Sequence, residues 1–254
     1  MFFLNVFMRT AGLWVYLLPW LMLVGAAATT CAGKFGSTSN YEEQREKMVR
    51  EQIRRRGVKD SRVLAAMRQV PRHLFVPPES EVMAYEDRPL PIGHGQTISQ
   101  PYVVALMTEL ARVGAKDRIL EIGTGSGYQA AILSCLAAQV YTIEYIEALG
   151  LLAKKHLQDL HYDNVEVRIG DGYLGWPEHQ PFDAILVTAA IEEPPQPLID
   201  QLKPGGRMVI PLGREMDSQS LVIIEKDEKG RIRQHEAIPV RFVPFLGEKG
   251  KRSQ

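Results

Sequence analysis

The sequence predicts an α/β protein in which a doubly wound, mostly parallel sheet follows a group of N-terminal helices. From residue 118 onward, short apolar runs of strand length alternate with stretches that have helical periodicity. A glycine-rich turn follows the first apolar run, and the run at 182–188 is almost wholly apolar, as in a strand covered on both faces. This alternation predicts that ligands bind at the carboxyl ends of the strands.

Three helices are predicted ahead of the sheet. The first spans 41–56 and ends at Gly57, and the second begins after Asp60, whose side chain can cap it. The third helix spans 101–112, where apolar residues recur at helical spacing.

The alternating section supplies seven strands and three further helices. The strands are predicted at 118–122, 140–145, 165–169, 182–188, 207–211, 220–225 and 238–243. The helices are predicted at 128–138, 147–160 and 197–202, and a turn is predicted at 203–206.

Composition limits the classes of partner and cofactor. Lys plus Arg and Asp plus Glu both number 30, so no overall basic field favours nucleic acid, and we expect no nucleic-acid partner. The six histidines are scattered without ligand spacing, and we expect no metal. The two cysteines, Cys31 and Cys135, predict no disulfide framework, so the fold should depend on its core.

The N-terminal 30 residues read as a signal peptide or a membrane anchor. Residues 11–28 are uncharged and mostly apolar, and they end in three alanines that fit a cleavage site. Two alternatives remain: an uncleaved anchor, and a start assigned too far upstream, with Met48 beginning the protein. Export would make the protein periplasmic or membrane-anchored, and a false leader would leave it cytoplasmic. Residues 31–40 are predicted as a linker, 41–247 as the folded domain and 248–254 as a tail.

The glycine turn indicates which nucleotide the sheet binds. Gly123, Gly125 and Gly127 form G-x-G-x-G, and glycines let the backbone approach a ligand closely. Dinucleotide-binding enzymes have G-x-G-x-x-G, whose third glycine would occupy the position of Tyr128. The observed spacing is typical of class I S-adenosylmethionine-dependent methyltransferases, which have this Rossmann-like sheet.

Carboxylates near three strand ends support an adenosine cofactor. Glu121 precedes the glycine turn, and Glu144, at the end of the second strand, can accept both ribose hydroxyls. Asp171 and Gly172 follow the third strand, where an acid can receive the adenine amino group. Each has a simpler explanation: Asp-Gly is a common turn pair, and a Glu at a strand end is often only solvated. Together with the turn they predict S-adenosylmethionine.

Several segments resemble the protein-L-isoaspartate O-methyltransferase family. They are residues 48–54 (MVREQIR), 95–101 (GQTISQP), 120–128 (LEIGTGSGY), 170–172 (GDG) and 239–244 (PVRFVP). The segment GQTISQP is the most specific, and the resemblance spans about residues 41–247. The leader departs from the pattern, since the family is usually cytoplasmic.

The resemblance implies methyl transfer from S-adenosylmethionine to the free carboxylate of L-isoaspartyl residues, which starts the repair of damaged proteins. Isoaspartyl proteins and peptides are then the partners, and a membrane is one only if the leader stays uncleaved. The resemblance assigns Ser99 as the active-site serine, places Thr97, Ile98 and Gln100 beside the methyl donor, and implies rearranged final strands. From the residues alone, Ser99 is better explained as a cap of the helix that begins at Pro101.

The sequence argues against two other classes of methyltransferase. An aminomethylating enzyme should carry N/D-P-P-Y/F after the fourth strand, but here Pro194 and Pro195 are followed by Gln196. A catechol-type methyltransferase would need a cluster of metal-binding carboxylates, which the sequence does not show. Two alternatives remain: an NAD-dependent oxidoreductase, disfavoured by Tyr128, and a non-catalytic S-adenosylmethionine-binding module.

Overall fold

The computed structural model describes residues 39–214 and 218–247. The predicted leader, most of the predicted linker and the predicted tail lie outside these residues. Within them, no helix is long and apolar enough to cross a membrane.

The N-terminal part is helical. Helix α1 (Ser39–Lys47) continues as a π-helical turn (Met48–Ile53) and a 3-10 turn (Arg54–Arg56), and Gly57 ends it with a positive φ of 105°. The last two residues of the predicted linker therefore belong to α1. Helix α2 (Ser61–Gln69) is capped by Asp60 as predicted, because the Asp60 carboxylate accepts the Arg62 N–H.

A small hairpin and a third helix come before the main sheet. Strands β1 (Leu90–Gly93) and β2 (Gln96–Ile98) pair antiparallel, followed by helix α3 (Pro101–Ala111). The hairpin was not predicted, because β1 and β2 have only four and three residues and lack an extended alternating pattern.

The main sheet has seven strands in the order β5-β4-β3-β6-β7-β8-β9. In chain order its strands and flanking helices are β3 (Arg118–Ile122), α4 (Tyr128–Ser134), β4 (Gln139–Glu144), α5 (Glu147–Asp159), β5 (Val165–Ile169), β6 (Phe182–Val187), α6 (Gln196–Gln201), β7 (Leu202–Leu212), β8 (Gln219–Lys226) and β9 (Ile232–Val240). Strands β3 to β7 pair in parallel, and β8 and β9 pair antiparallel. The predicted fold class is confirmed.

Three predicted boundaries in the alternating section are wrong. Helix α4 ends at Ser134, four residues before the predicted end. The predicted turn at 203–206 lies inside β7, where the pairing with β6 is irregular and Gly205 has a φ of 80°. The last strand is Ile232–Val240, so only three of the residues predicted at 238–243 belong to it. The final strands run in chain order, β7-β8-β9, at one side of the sheet.

Apolar side chains cover both faces of the sheet. One cluster joins the N-terminal helices, α3 and α4 to one face, and the other packs Trp176, Phe182 and Phe245 against the opposite face. Burial of this kind contributes about 25 cal/mol per Å² of apolar surface, so it supplies most of the driving force for folding.

Arg72 is the most unusual member of the core. It is fully buried, its Nε donates to the Ala84 carbonyl at 2.8 Å, and its guanidinium lies 5.0 Å from the centre of the Tyr128 ring. Burial lowers the pKa of Arg72 to about 10, which still leaves it charged at neutral pH. The contact therefore ties the segment between α2 and β1 to the first residue of α4.

Cys135, just after α4, is disulfide-bonded. One bonded cysteine is not a disulfide framework, so the expectation that the fold depends on its core stays a prediction. The chain's other cysteine, Cys31, lies outside the described residues.

Candidate functional site

The carboxyl ends of β4, β3 and β6 meet where the strand order reverses direction. From β3 the chain proceeds outward through β4 to β5, and then returns to place β6 on the other side of β3. A reversal of this kind opens a crevice at the strand ends, which is where open α/β sheets bind ligands.

The glycine loop leaves β3 at this crevice. Gly123 donates its N–H to the Ile143 carbonyl at 2.8 Å, which holds the loop against β4. A Cβ atom at Gly123 would lie 2.4 Å from Thr188 Oγ1, and the φ values of Gly123, Gly125 and Gly127 are 96°, 53° and 88°. These close contacts and left-handed angles explain why glycine occupies the three positions.

Glu144 connects the glycine loop to the end of β4. Its carboxylate is 6% exposed and accepts the Gly125 N–H at 2.8 Å and the Ile146 N–H at 2.9 Å. Each carboxylate oxygen thus uses one acceptor site on the backbone and keeps another. The predicted ribose-binding residue is therefore fixed in place and still able to accept hydroxyl groups.

A cavity lies over these groups, and we call it the cofactor cavity. Five of the predicted site residues line it: Thr97, Gly123, Gly125, Glu144 and Gly172. Sequence reasoning missed the others, which are Gln96, Ile122, Ile143, Tyr145, Thr188, Ala189, Val243, Pro244, Phe245 and Leu246. Tyr145 directly follows Glu144 and is 40% exposed, so its place at the strand end was the signal that could have found it.

A second, larger cavity of about 890 Å³ adjoins the first, and we call it the acceptor groove. Ser99 and Gln100 line it, together with residues of α3 and of the segment 238–244. Thr97, Thr188, Val243 and Pro244 line both cavities, so the two spaces are continuous along these side chains.

Residues 97–100 lie partly in the lining of these two cavities and partly in the hydrophobic core. Thr97 borders both cavities, whereas Ile98 is 4% exposed and belongs to the hydrophobic core. The Gln100 side chain donates to the Asp87 carbonyl at 2.9 Å. Gln100 is also the residue that precedes the first turn of α3, and its side chain makes no capping bond. The N-cap position of α3 is therefore Gln100 and not Ser99, so the helix-cap explanation of Ser99 is wrong.

Asp171 lies beside the cofactor cavity and not in its lining. Its carboxylate accepts the Tyr173 N–H at 2.9 Å and so caps the short turn Gly172–Leu174. A Cβ atom at Gly247 would lie 2.4 Å from Asp171 Oδ1, so the C-terminal segment packs closely against this carboxylate. Gly172 is in the lining, and a Cβ there would lie 2.3 Å from Ile122 Cγ2.

Gly127 and Glu121 also lie behind the cavity. Gly127 directly precedes α4, and a Cβ atom there would lie 3.3 Å from the Leu157 side chain on α5. Glu121 is fully buried, and its Oε2 accepts the Thr142 hydroxyl at 2.5 Å, which lies 2.7 Å from the Thr124 hydroxyl in the glycine loop. Glu121 therefore reaches the loop through two threonines.

The environment of Glu121 favours its neutral form. Burial raises the pKa of Glu121 to about 8, the Thr142 hydrogen bond opposes this, and the negative charge of Glu144 adds to it. Its Oε1 is buried without a hydrogen-bond partner in the described part of the chain. Within the same residues, no group of three or more His, Cys, Asp or Glu is arranged to hold a metal ion.

We predict that Glu121→Gln changes the pH dependence of stability. Because the pKa of Glu121 is raised on folding, from 4.5 to about 8, its favourable contribution is complete below pH 4.5 and is lost as pH rises through 8. The amide cannot ionise, so the melting temperature of the variant relative to the wild type should increase from pH 5 to pH 9. Thermal unfolding of both proteins from pH 5 to pH 9 measures this difference in melting temperature. The exposed Glu193→Gln is the control, and parallel curves for all three proteins would contradict the prediction.

Comparison with known proteins places this site in a family. The family model described as protein-L-isoaspartate(D-aspartate) O-methyltransferase matches residues 43–250. A protein-L-isoaspartate O-methyltransferase 1 of Nitrosospira multiformis is 57% identical over 213 residues, which are 83% of this chain and 90% of that protein. A protein-L-isoaspartate O-methyltransferase 2 of Syntrophobacter fumaroxidans is 50% identical and covers 94% of this chain and 98% of its own.

Solved structures agree in fold. A protein-L-isoaspartate O-methyltransferase structure has a TM-score of 0.72 at 32% identity, and the match covers 80% of this chain and 66% of that one. A Plasmodium falciparum structure described as this enzyme in complex with S-adenosyl-L-homocysteine has a TM-score of 0.69 at 26% identity, covering 80% of this chain and 98% of the other. The chain therefore belongs to the protein-L-isoaspartate(D-aspartate) O-methyltransferase family.

Proposed function

We propose that this chain transfers the methyl group of S-adenosylmethionine to the free carboxylate of L-isoaspartyl residues in damaged proteins and so initiates their repair. The observation that carries the proposal is the family match over residues 43–250, which includes both the cofactor cavity and the acceptor groove. Relatives with 50–57% identity carry the name of this activity.

The cofactor cavity suits an adenosine in the chemistry of its donors and acceptors. Glu144 keeps an acceptor site on each oxygen for the two ribose hydroxyls, and the exposed ring of Tyr145 offers an apolar face to the adenine. The glycines leave the backbone free to approach the donor. We assign Gly127, Glu121 and Asp171 an indirect part: Gly127 and Glu121 shape the glycine loop, and Asp171 holds the turn that carries Gly172.

The acceptor groove needs little chemistry from the protein. A carboxylate is ionised at neutral pH and needs no general base. S-adenosylmethionine supplies a sulfonium methyl group; as the carboxylate oxygen bonds to the methyl carbon, the carbon–sulfur bond breaks and its electron pair remains on sulfur. In-line placement of the two reactants can contribute about 7–11 kcal/mol of the barrier reduction. We assign that orientation to Ser99, which lines the acceptor groove, and to Thr97 and Thr188, which line both cavities.

The direct test of the proposed function uses a pair of peptides. The purified protein should methylate an isoaspartyl peptide and leave the aspartyl peptide of the same sequence unmodified, measured by transfer of labelled methyl groups. Equal methylation of both peptides, or cofactor binding without turnover, would contradict the proposal. The second result would favour a non-catalytic binding module.

Ser99→Ala should reduce turnover of the isoaspartyl peptide by about tenfold or more, because a hydrogen bond to an ionised group contributes about 1.5–3 kcal/mol. The N-cap residue of α3 is Gln100 and not Ser99, so the melting temperature should stay close to that of the wild type. Affinity for S-adenosyl-L-homocysteine should change by no more than a few-fold. The exposed Ser61→Ala is the matched control. Wild-type turnover in Ser99→Ala would remove the serine from the mechanism.

Glu144→Ala should weaken S-adenosyl-L-homocysteine binding by about 1–3 kcal/mol, because hydrogen bonds to a charged acceptor are lost. Calorimetric titration measures the change, and circular dichroism checks that the variant folds. Glu147→Ala removes an exposed carboxylate three residues further along and serves as the control. Unchanged affinity in a folded Glu144→Ala protein would overturn the ribose assignment.

We also propose that residues 1–30 direct the chain out of the cytoplasm. Two observations support this. The match to the Syntrophobacter protein covers 94% of 254 residues, about 239, so it must include part of the leader. In addition, Cys135 is disulfide-bonded, and disulfides persist mainly in oxidising compartments.

Fractionation of the native host tests this proposal. We expect the protein outside the cytoplasm, with an N-terminus near Thr29 if the leader is cleaved, and with Cys135 blocked to maleimide until a reductant is added. Retention of the full leader in the membrane fraction would indicate an anchor instead of a cleaved signal. A cytoplasmic product that begins near Met48 and has a reactive Cys135 would show that the leader is a misassigned start.

A further inference from the structure

The acceptor groove carries two arginines, and none of the described residues that line it is acidic. Arg56 comes from the end of the N-terminal helical segment, and Arg241 directly follows β9. Ser99 lines the same groove. The wall around the substrate position is therefore basic, although the formal charge of the whole chain is zero.

The two arginines differ in what they already bind. Arg56 forms an ion pair with Asp87 at 2.8 Å, and its guanidinium lies 3.5 Å from the centre of the Tyr102 ring. Arg241 is exposed, and within residues 39–214 and 218–247 it has no ion-pair partner within 4.0 Å. Arg241 is therefore the uncompensated positive charge of the groove.

The charge of Arg241 is poorly suited to the reacting carboxylate itself. During methyl transfer the acceptor loses its negative charge, because the anion becomes a neutral ester. A guanidinium paired with that carboxylate would stabilise the ground state more than the transition state and would slow the chemical step. A carboxylate that keeps its charge throughout the reaction is the better partner, and a peptide substrate can supply one from a neighbouring side chain.

We propose that Arg241 is a specificity-determining residue that binds an acidic side chain flanking the isoaspartyl residue, and this inference rests on the proposed function. The interaction is between a guanidinium and a carboxylate in a solvent-accessible groove. It should therefore be modest in size and weakened by salt. Because it is the same in the ground and transition states, it acts on kcat/KM through substrate binding and leaves kcat nearly unchanged.

A peptide series tests the proposal. Isoaspartyl peptides of equal length carry Glu, Gln or Lys at one flanking position, with each side of the isoaspartyl residue tested in turn. For the wild type we expect kcat/KM to fall from Glu to Gln to Lys at one of the two flanks, by about threefold at each step. The spread should shrink when the ionic strength is raised to about 0.5 M.

Variants assign the preference to Arg241. Arg241→Gln should make the three peptides nearly equal, and Arg241→Glu should reverse their order. Arg233→Gln removes an exposed arginine of β9 that does not line the groove, and it should keep the wild-type order. Melting temperatures confirm that each variant folds.

Two results would overturn the proposal: the wild-type order surviving in Arg241→Gln, or an equal loss for all three peptides, which would mean that Arg241 serves the acceptor carboxylate. Neither result bears on the proposed function, because methylation of the uncharged Gln peptide by the wild type tests that separately. If the wild type fails to methylate any isoaspartyl peptide, the proposed function fails first.

Discussion

The Glu144 carboxylate is the contact on which the arrangement of the cofactor cavity depends. It accepts one backbone N–H from the glycine loop and another from the residue two positions further along its own chain. A nearly buried carboxylate is unfavourable unless its oxygens are hydrogen-bonded, so the loop and the end of β4 must stay in register. The loop is also held from below by the Glu121, Thr142 and Thr124 side chains. The end of β4 and the glycine loop are therefore held in a fixed arrangement before a ligand binds.

The N-terminal helices contribute to the same site by a different route. Arg72 is buried between them and α4, with its charge over the ring of Tyr128, the residue that opens α4 directly after the glycine loop. Ile92 of β1 would be 3.4 Å from a Cβ atom at Gly125, so the hairpin that leads to Ser99 rests on the loop. The helical section thus carries the acceptor groove and anchors it to the sheet.

Sequence patterns predicted most of this fold, because alternation of apolar and helical segments is a strong signal over many residues. Strand β5 and the start of α3 were placed correctly, and the glycine spacing separated a methyltransferase from a dinucleotide enzyme. The β1–β2 hairpin was missed because its strands have only four and three residues. The irregular start of β7 was missed because its pairing with β6 joins residues that are far apart in the chain. The lining by Val243 to Leu246 could not be predicted either, because this segment is held beside the residues that follow β6 by backbone hydrogen bonds between Ala190 and both Val243 and Phe245.

Residue types at strand ends predicted the site only in part. Glu144, Gly123 and Gly125 line the cofactor cavity, while Gly127 and Glu121 lie behind it and Ile98 belongs to the core. The register of a strand, which a motif does not specify, decides which side a residue faces. Tyr145 was missed for the complementary reason, because an aromatic residue after a strand has no distinctive signal.

Thr97, Thr188, Val243 and Pro244 form a common wall between the cofactor cavity and the acceptor groove. A ligand in either space therefore touches atoms that shape the other. If bound methyl donor changes the affinity for the peptide by some factor, bound peptide must change the affinity for the donor by the same factor, because coupling between two binding equilibria is reciprocal. Donor and product differ at the methyl group, so the same four residues give the protein a means of holding a peptide differently before and after transfer.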